Sequence, residues 1–339
     1  LEREERGLQI YLDYMRPNVT MLQRSQRNIG LLAEISNSLR KGTQTQDQLN
    51  KLLLQYKRHA DVIPDRGVHY TNETASAYNF RDLWRKSQQL NKRVYVCKAS
   101  YFESGNNQLV CDALAALPAK HYNFAPDLLC VYEGCEVRLV KNIDVSAGLV
   151  NGAIGTVVKV VYDTADVKFL QDGKHPPPYY LIVDFPEFRG FNGDKDNFTF
   201  LNHPTWVALT RQKFTIMPSN VPKYVRNKQN VSQCWRMNFP CDVSFHITTH
   251  RSQGSTMNNQ NILIDLNLQS PSIPVPADAG AILYVSITRS NALKHLLVAP
   301  IFPTIWDNLC KNALDDARRA EENALRDYAL QFAQQNDYY

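Results

Sequence analysis

The sequence predicts an α/β fold in which a parallel-sheet domain is interrupted by a β-rich insertion. NILIDL and KHLLVA, both beyond residue 237, are short apolar runs typical of strands buried in a parallel sheet. Between them, AGAILYVSITRS carries apolar residues at helical spacing. From about residue 126, short β-rich runs separated by turns indicate a small antiparallel barrel. The predicted boundaries are 1–125 for the first part of the α/β domain, 126–236 for the insertion, 237–303 for the second part and 304–339 for a C-terminal helix.

The first 60 residues are predicted to be helical. LLAEISNSLRKG should form a helix that stops at Gly42. TQTQDQLNKLLLQY begins a second helix, capped by Thr43 or Thr45. Further on, VHYTNETASAYNFRDLWRKSQQL predicts a short strand followed by a helix, and KRVYVCKASYF alternates like one strand.

The composition is that of a globular chain. Of its 339 residues 44% are hydrophobic, enough for a sizeable core, and the formal charge of +5 is compatible with nucleic acid without proving it. The seven cysteines form no CxxC pair, so we expect reduced thiols rather than a disulfide framework or a zinc site. No apolar run is long enough to span a membrane. The first residues, LEREERGLQI, are charged and lack an initiator Met, so we expect an excised fragment without a signal or transit peptide.

One polar stretch stands just ahead of a predicted core strand. FHITTHRSQGSTMNNQNILIDL, residues 245–266, places nine small, polar or basic residues before its apolar run. In open parallel sheets such loops lie at the edge that binds ligands. Hydroxyls, His250, the Gln253 amide and the backbone at Gly254 can hydrogen-bond phosphate and sugar groups. A solvated polar loop is the alternative interpretation.

Arg289, in YVSITRS, follows an apolar helical face and is predicted to stand near the same sheet edge. A guanidinium suits a phosphate there because its donors form a rigid fork and it keeps its charge. The alternative is an ordinary arginine at the end of a helix.

Together, THRSQGST and AGAILYVSITRS resemble motifs V and VI of superfamily 1B helicases. The closest match is the petite-integration-frequency (PIF) branch, which includes the helicase portions of Helitron transposons. Its motifs usually read TIHKSQGxT and GxxYVALSR. Here Thr249 replaces Ile, Arg251 replaces Lys and SITR replaces ALSR, and all three changes keep the polar and basic character.

Other stretches follow the same family's order. EGCEVRLVKNIDVSAGLVNGAIGTV, residues 133–157, is similar to GxxVMLxxNxxxxxGLxNGxxGxV, with glycines suited to tight turns between strands. VHYTNETASAYN is similar to TPTNxxVxxxN and keeps Thr71, Asn72 and Asn79. WRMNFP is similar to RxQFPL.

The resemblance implies one half of a motor. The sequence contains no GxxxxGK[ST] loop and no predicted strand ending in an Asp-Glu pair, which such a motor needs for phosphate and magnesium. In the family both belong to a first RecA-like domain. The chain is therefore expected to be RecA-like domain 2A, a P-loop NTPase-type lobe, with its inserted SH3-like 2B domain. ATP and Mg²⁺ would be bound mainly by the first RecA-like domain, so this chain alone is expected to be inactive.

The motif match also implies residue roles. Arg289 is the expected arginine finger, and its catalytic partner is Arg24 of the motif IV-like stretch VTMLQRSQ, where Arg27 is an alternative. Gln253, Gly254 and Arg289 are expected at the nucleotide. The expected DNA contacts are His250, Thr249, Ser252, Asn72 and Thr71. No metal ligand is expected in this chain.

Four tryptophans and one histidine receive a structural interpretation. We expect Trp84, Trp206, Trp235 and Trp306 to pack in a core or between domains rather than to stack on bases. His246 is expected to face a helix without a ligand.

At the level of the whole protein, the resemblance implies a 5′-to-3′ helicase on single-stranded DNA. It would be intracellular, in the nucleus or mitochondrion of a eukaryote, monomeric and not bound to a membrane. Its roles would be DNA repair, recombination, telomere maintenance or transposition. The alternative is a non-catalytic single-strand-binding module from a degenerate mobile element. A viral superfamily 1 RNA helicase fits the GLVNG stretch less well.

Overall fold

The computed structural model describes residue 9 and residues 28–58, 62–105, 107–122, 124–163, 176–190, 203–226, 233–257, 259–270, 275, 278–309 and 316–335. The chain divides into two compact units. Unit 1 combines Leu1–Asn72 with Thr248–Tyr339, and unit 2 is Glu73–Ile247.

The described strands and helices follow each other along the chain. The strands are β1 (Arg66–His69), β2 (Tyr95–Lys98), β3 (Ser100–Glu103), β4 (Leu128–Val131), β5 (Glu136–Leu139), β6 (Ile154–Val161), β7 (Tyr180–Asp184), β8 (Trp206–Leu209), β9 (Gln212–Ile216), β10 (Cys234–Asn238), β11 (Cys241–Val243), β12 (His246–Thr248), β13 (Ile262–Asp265) and β14 (Leu296–Val298). The α-helices are α1 (Leu31–Lys41), α2 (Gln46–Arg58), α3 (Asn72–Gln89), α4 (Gln108–Ala115), α5 (Lys223–Arg226), α6 (Thr249–Ser252), α7 (Ala279–Ile287), α8 (Pro303–Asn308) and α9 (Asp316–Gln335). Short 3₁₀ turns lie at Ala119–Tyr122, Pro218–Asn220 and Leu293–His295.

Unit 1 is organised by a parallel sheet in which β1, β13 and β14 follow each other in that order. β1 pairs in parallel with β13, and β13 pairs in parallel with β14. Every residue of β13 and β14 is buried. Strands covered on both faces need apolar side chains at successive positions, which explains the continuous runs in the sequence. The predicted α/β fold with a parallel sheet is confirmed.

Helices α1 and α2 of unit 1 have the ends that their sequences indicate. Gly42 ends α1 in the left-handed region at a φ of 69°, where a side chain would be strained. Thr45, rather than Thr43, caps the N-terminus of α2. Its hydroxyl accepts a hydrogen bond from the Gln48 N–H at 3.3 Å, and Gln48 Oε1 accepts one from the Thr45 N–H at 3.1 Å. This reciprocal pair is a capping box.

Unit 2 contains antiparallel sheets with the orders β11-β5-β6-β7-β8, β3-β10-β9 and β2-β4. One core of unit 2 draws mostly on strands of the first and third sheets, with residues such as Leu129, Val137, Val157, Val183 and Leu209. Between described residues, the five-stranded sheet has β11 and β8 at its two ends and does not close into a barrel. The SH3-like barrel and the domain boundaries given above therefore stay predictions.

The glycines of residues 148–155, which begin with GLVNG, serve two different physical needs. Gly148 and Gly152 have φ angles of 80° and 96°, so they supply the left-handed backbone of the turn before β6. Gly155 instead solves a steric problem, because a Cβ there would lie 2.7 Å from both the Asp184 carbonyl oxygen and Val183 Cγ1 on β7.

One local prediction is wrong and another stays open. KRVYVCKASYF forms two strands rather than one, since β2 pairs with β4 while β3 pairs with β10. The chain changes sheets at Ala99, whose N–H donates to the Asp127 carbonyl at 2.8 Å. In the C-terminal region the described helices are α8 and α9, and the single helix predicted over 304–339 stays a prediction because residues 310–315 lie outside the described part.

Candidate nucleotide and nucleic-acid interface

The polar segment predicted to line a ligand site, residues 248–257, lies in unit 1 ahead of β13. Thr249 begins α6, and its hydroxyl donates to the carbonyl oxygen of His69 at 3.4 Å. The same hydroxyl lies 3.0 Å from the Ser286 hydroxyl on α7. His69 is the last residue of β1, so the segment is anchored at the carboxyl end of a parallel strand. That end is where open parallel sheets bind ligands.

Arg289 follows α7, and its side chain lies against this segment. Its Nη1 donates to the carbonyl oxygens of Ser252 and Ser255 at 3.2 and 3.0 Å. Its Nε donates to the Val285 carbonyl at 2.9 Å, and Nη2 donates to the Thr288 hydroxyl at 3.2 Å. Only 7% of the residue is exposed. Four hydrogen bonds to neutral oxygens thus hold the guanidinium on the same rim as the polar segment.

Ser252 shapes the turn that Arg289 contacts. Its hydroxyl donates to the Thr249 carbonyl at 2.8 Å. Its carbonyl accepts hydrogen bonds from the Ser255 N–H at 3.1 Å and the Ser255 hydroxyl at 2.6 Å. Gly254 completes the turn at a φ of 82°, a left-handed value that favours glycine. The SQGS sequence therefore forms a tight turn in which the carbonyls of Ser252 and Ser255 point at the Arg289 guanidinium.

Exposure divides the predicted ligand-binding residues of this segment into two groups. His250, Gln253 and Gly254 are exposed. Thr249 and Ser252 are buried, and their hydroxyls are engaged as described above. In this arrangement the first group offers its atoms to a ligand and the second supports the turn. Their direct roles at nucleotide or DNA stay predictions.

Thr71 and Asn72 stand where β1 gives way to α3. Both are partly buried. Because they follow the carboxyl end of β1, they belong to the same edge of the unit 1 sheet as α6.

The predicted second arginine, Arg24, and its alternative, Arg27, both lie outside the described residues. The residues just after them contact the neighbourhood of Arg289. Asn28 Nδ2 donates to the Ser290 carbonyl at 2.6 Å, and the Ile29 N–H donates to the Asn291 carbonyl at 3.1 Å. Sequence reasoning missed Asn28, whose one signal is its position beside the motif IV-like stretch.

A buried polar cluster in unit 2 was also missed. His246 lies on β12 and faces helix α3, as expected, and its Nε2 is 2.8 Å from Asp82 Oδ2 on that helix. Asn79 on α3 exchanges two hydrogen bonds of 2.8 Å with the His246 backbone, one to the carbonyl and one from the N–H. Asn79 and Asp82 share the buried face of α3 with Ala75 and Leu83. Polar residues at these inward positions were the available signal for a buried partner.

The cluster is arranged so that its carboxylate stays charged and its imidazole stays neutral. Burial alone would raise the pKa of Asp82, but hydrogen bonds from His246 and Arg81 outweigh it and lower the pKa to about 2. The Arg81 Nε lies 2.7 Å from Asp82 Oδ1. Burial lowers the pKa of His246, with partial compensation by the hydrogen bond to Asp82. The geometry therefore fits a structural hydrogen bond between a neutral imidazole and a charged carboxylate, which ties α3 to β12.

Three further observations concern cysteines, metals and membranes. Six cysteines within the described ranges, at positions 97, 111, 130, 135, 234 and 241, are free thiols. Among the described side chains, no group of three or more His, Cys, Asp or Glu could hold a metal ion. None of the helices in the described part is long and apolar enough to cross a membrane.

Parts of this chain are similar in sequence to known proteins. Residues 119–160 match the family described as DNA helicase Pif1, 2B domain. The ATP-dependent DNA helicase PIF7 of Trypanosoma brucei brucei is 27% identical to this chain over 143 residues, which cover 40% of this chain and 13% of that protein.

Solved structures agree in fold. The Pif1 helicase from Candida albicans superposes with a TM-score of 0.55 at 18% identity, covering 88% of this chain and 58% of that one. The Pif1 helicase from Bacteroides in complex with ADP-AlF3 and single-stranded DNA gives a TM-score of 0.52 at 16% identity, covering 90% of this chain and 56% of that one. The chain thus spans little more than half the length of these solved relatives.

Proposed function

We propose that this chain, a relative of the Pif1-type DNA helicases of superfamily 1B, is the second motor half of an ATP-dependent 5′-to-3′ DNA helicase. In this proposal unit 1 acts as the RecA-like domain 2A, and the 2B domain is inserted in it. The chain works with a first RecA-like domain of the same protein, which binds most of the ATP and the Mg²⁺. This chain supplies an arginine finger and part of the track for single-stranded DNA.

The observation that carries the proposal is the hydrogen bonding of Arg289 to the turn at Ser252 and Ser255. The two stretches that resemble motifs V and VI meet at this point. The contacts of Asn28 and Ile29 beside Ser290 bring the residues that follow the motif IV-like stretch to the same place. Two motif-like stretches, and the residues that follow a third, therefore meet at one edge of the parallel sheet.

The contacts of Arg289 suit a finger that exchanges partners. Four of its hydrogen bonds, described above, go to neutral oxygens. Charge-assisted hydrogen bonds to phosphate are roughly twice as strong as those to neutral acceptors, so a phosphate brought to this rim by domain closure would compete well for the guanidinium. An arginine finger stabilises negative charge in the transition state of phosphoryl transfer and contributes about 10³–10⁵ in kcat.

Single-stranded DNA is the proposed polymer substrate. His250 is exposed next to the turn, and Thr71 and Asn72 follow β1 at the same sheet edge. Such side chains can contact the phosphates and sugars that position a strand. The position of Arg289 and the exposed side of the turn both depend on residues 252–255. In this proposal that shared dependence couples ATP hydrolysis to movement of the DNA strand.

The test uses a chimera of this chain with a first RecA-like domain that carries a Walker loop. Arg289→Ala should lower ATP turnover by about 10³-fold or more while single-strand affinity changes little. His250→Ala is the matched variant, since it should weaken DNA binding without removing the finger. Turnover of Arg289→Ala near the wild-type rate would refute the finger assignment.

A titration of the chain by itself provides a second test. We expect weak binding of oligonucleotides and hardly any binding of ATP. Tight ATP binding without DNA would contradict the proposal of a half motor. Oligonucleotide binding by a chimera that never hydrolyses ATP, even with Arg289 intact, would instead favour the non-catalytic single-strand-binding module.

A further inference from the structure

The three-stranded sheet β3-β10-β9 of unit 2 presents an outward face with an unusual composition. Across it, Trp235 is opposite Phe102 on one side and Thr215 on the other, and Met237 is opposite Ser100 and Lys213. Side chains of alternating residues point to opposite faces, so these six residues share one face. The other face holds the buried residues Phe214, Ile216, Cys234, Arg236 and Asn238.

Aromatic rings and a cation form a column on the outward face. The rings of Phe102 and Trp235 are near-parallel, with centroids 5.8 Å apart and planes at 16°. Lys213 Nζ lies 3.8 Å from the centroid of the Trp235 ring. Trp235 is partly buried by these neighbours, whereas Phe102 is 39% exposed. Phe102 is therefore the ring that a flat ligand can reach, and Trp235 supports it.

The charge on this face is positive. Lys213 is exposed, and none of the six outward residues carries a carboxylate. Arg211 adds a second cation at the end of the sheet, where its Nη2 donates to the Ser100 hydroxyl and to the Met237 carbonyl, both at 2.8 Å. The acidic residue of β3, Glu103, is buried and accepts hydrogen bonds from the Gly105 and Asn107 N–H groups. Among its described residues, the face thus combines an accessible aromatic ring with cations and no exposed carboxylate.

We propose that the Phe102–Trp235–Lys213 face is a stacking platform for an unpaired nucleobase of single-stranded DNA, with Lys213 and Arg211 near the adjoining phosphates. Stacking on aromatic rings beside a basic groove is the physical basis of sequence-independent single-strand binding. For Trp235 this replaces the sequence-based expectation of core packing. The platform rests on the proposed function only in taking single-stranded DNA as its ligand.

The experiment compares two strands of roughly ten nucleotides, a length within the span that single-strand-binding proteins cover. One is oligo-dT and the other is an abasic strand with the same phosphates and no bases. The 339-residue chain should bind oligo-dT more tightly than the abasic strand. Phe102→Leu, which keeps apolar bulk and removes the ring, should weaken oligo-dT binding by about tenfold and leave abasic binding unchanged. Phe102→Tyr, which keeps an aromatic ring, should bind oligo-dT with the wild-type affinity.

Two controls separate stacking from charge and from general damage. Lys213→Gln should weaken both strands alike and reduce the salt dependence of binding, because it removes a cation and no ring. Phe80→Leu changes another exposed aromatic of unit 2, which is 51% exposed on α3, and should leave both affinities unchanged.

The outcomes distinguish this proposal from the proposed function. If the chain binds oligo-dT but Phe102→Leu leaves the difference between the two strands unchanged, the platform is refuted and the half motor is unaffected. If the wild-type chain binds neither strand, the platform fails together with the proposed DNA track. Equal weakening of both strands by Phe102→Leu would reveal a structural role for the ring and would also refute stacking.

Discussion

The Nη1 atom of Arg289 lies 3.0 Å from the carbonyl oxygen of Ser255 and 3.2 Å from that of Ser252. One nitrogen therefore joins the end of α7 to both sides of the turn that follows α6. Because of these two hydrogen bonds, the turn positions the guanidinium, and the guanidinium in turn stabilises the shape of the turn.

The first prediction concerns the stability of this joint. Arg289→Ala should reduce the free energy of unfolding by about 1–3 kcal/mol, because two carbonyls lose a charged donor. Arg289→Lys should recover only part of this loss, since one ammonium cannot reproduce the planar fork. Hydrogen exchange of the amides at residues 252–257 would report the loosening directly. Unchanged exchange in Arg289→Ala would mean that the turn does not depend on the arginine.

The second prediction concerns the amide of Asn79, which makes two hydrogen bonds to the His246 backbone. Asn79→Ala should destabilise the chain by about 2–4 kcal/mol, because both backbone groups of a buried residue lose their partner. Ser76→Ala, an exposed change on the same helix, should alter the stability by no more than about 0.5 kcal/mol. Urea denaturation of both variants measures the difference, and an equal effect of the two changes would rule out a specific anchor.

The third prediction is a pH dependence that comes from Asp82. Its pKa in the folded chain is about 2, below the ordinary value of 3.8. The ionised carboxylate therefore contributes stability that is fully present well above pH 4 and is lost as the pH falls through about 2. The size of this contribution is about 2 kcal/mol, and about half of it should be gone at pH 3.

Asp82→Asn provides the measurement. The variant should be less stable than the wild type at pH 7, because Arg81 and His246 lose a charged acceptor, and the gap between the two proteins should narrow between pH 5 and pH 3. A gap that stays constant over this range would show that the carboxylate is not held in its charged form by these partners.

The fourth prediction separates two kinds of glycine, Gly155 at the start of β6 and Gly152 in the turn before it. Gly155→Ala should cost about 1–3 kcal/mol or more, because its Cβ would meet backbone and side-chain atoms of β7 below 3.0 Å. Gly152→Ala has open space around the added Cβ and should cost about 1–2 kcal/mol from its left-handed backbone alone. Thermal unfolding of the two variants tests the order. A larger loss for Gly152→Ala would contradict the steric argument.

Much of the fold could be predicted because local pattern and burial agree. Continuous apolar runs have few alternatives to buried parallel strands, and β13 and β14 occupy the runs that were expected. A glycine after a helical stripe, as at Gly42, has an equally direct meaning. KRVYVCKASYF misled because alternation along one chain cannot reveal that its two halves pair with different strands.

The candidate site was predictable in outline and not in detail. Motif order placed Arg289 near the polar segment, and the structure joins them. The same motifs could not tell that Thr249 and Ser252 are buried while His250 is exposed, since exposure depends on how α6 sits on α7 and β1. Nor could they supply the partner of His246, because Asp82 is 164 residues away in the chain.

The sequence by itself determined which segments form helices and strands and which polar and basic residues lie at their ends. It could do so because periodicity, helix caps and turns depend on a few neighbouring residues. Only the tertiary structure decided which distant groups meet: Arg289 with the Ser252 turn, Asp82 with His246, and Phe102 with Trp235. Such pairings follow from strand register and helix packing, which bring together side chains whose sequence separation carries no information about their distance.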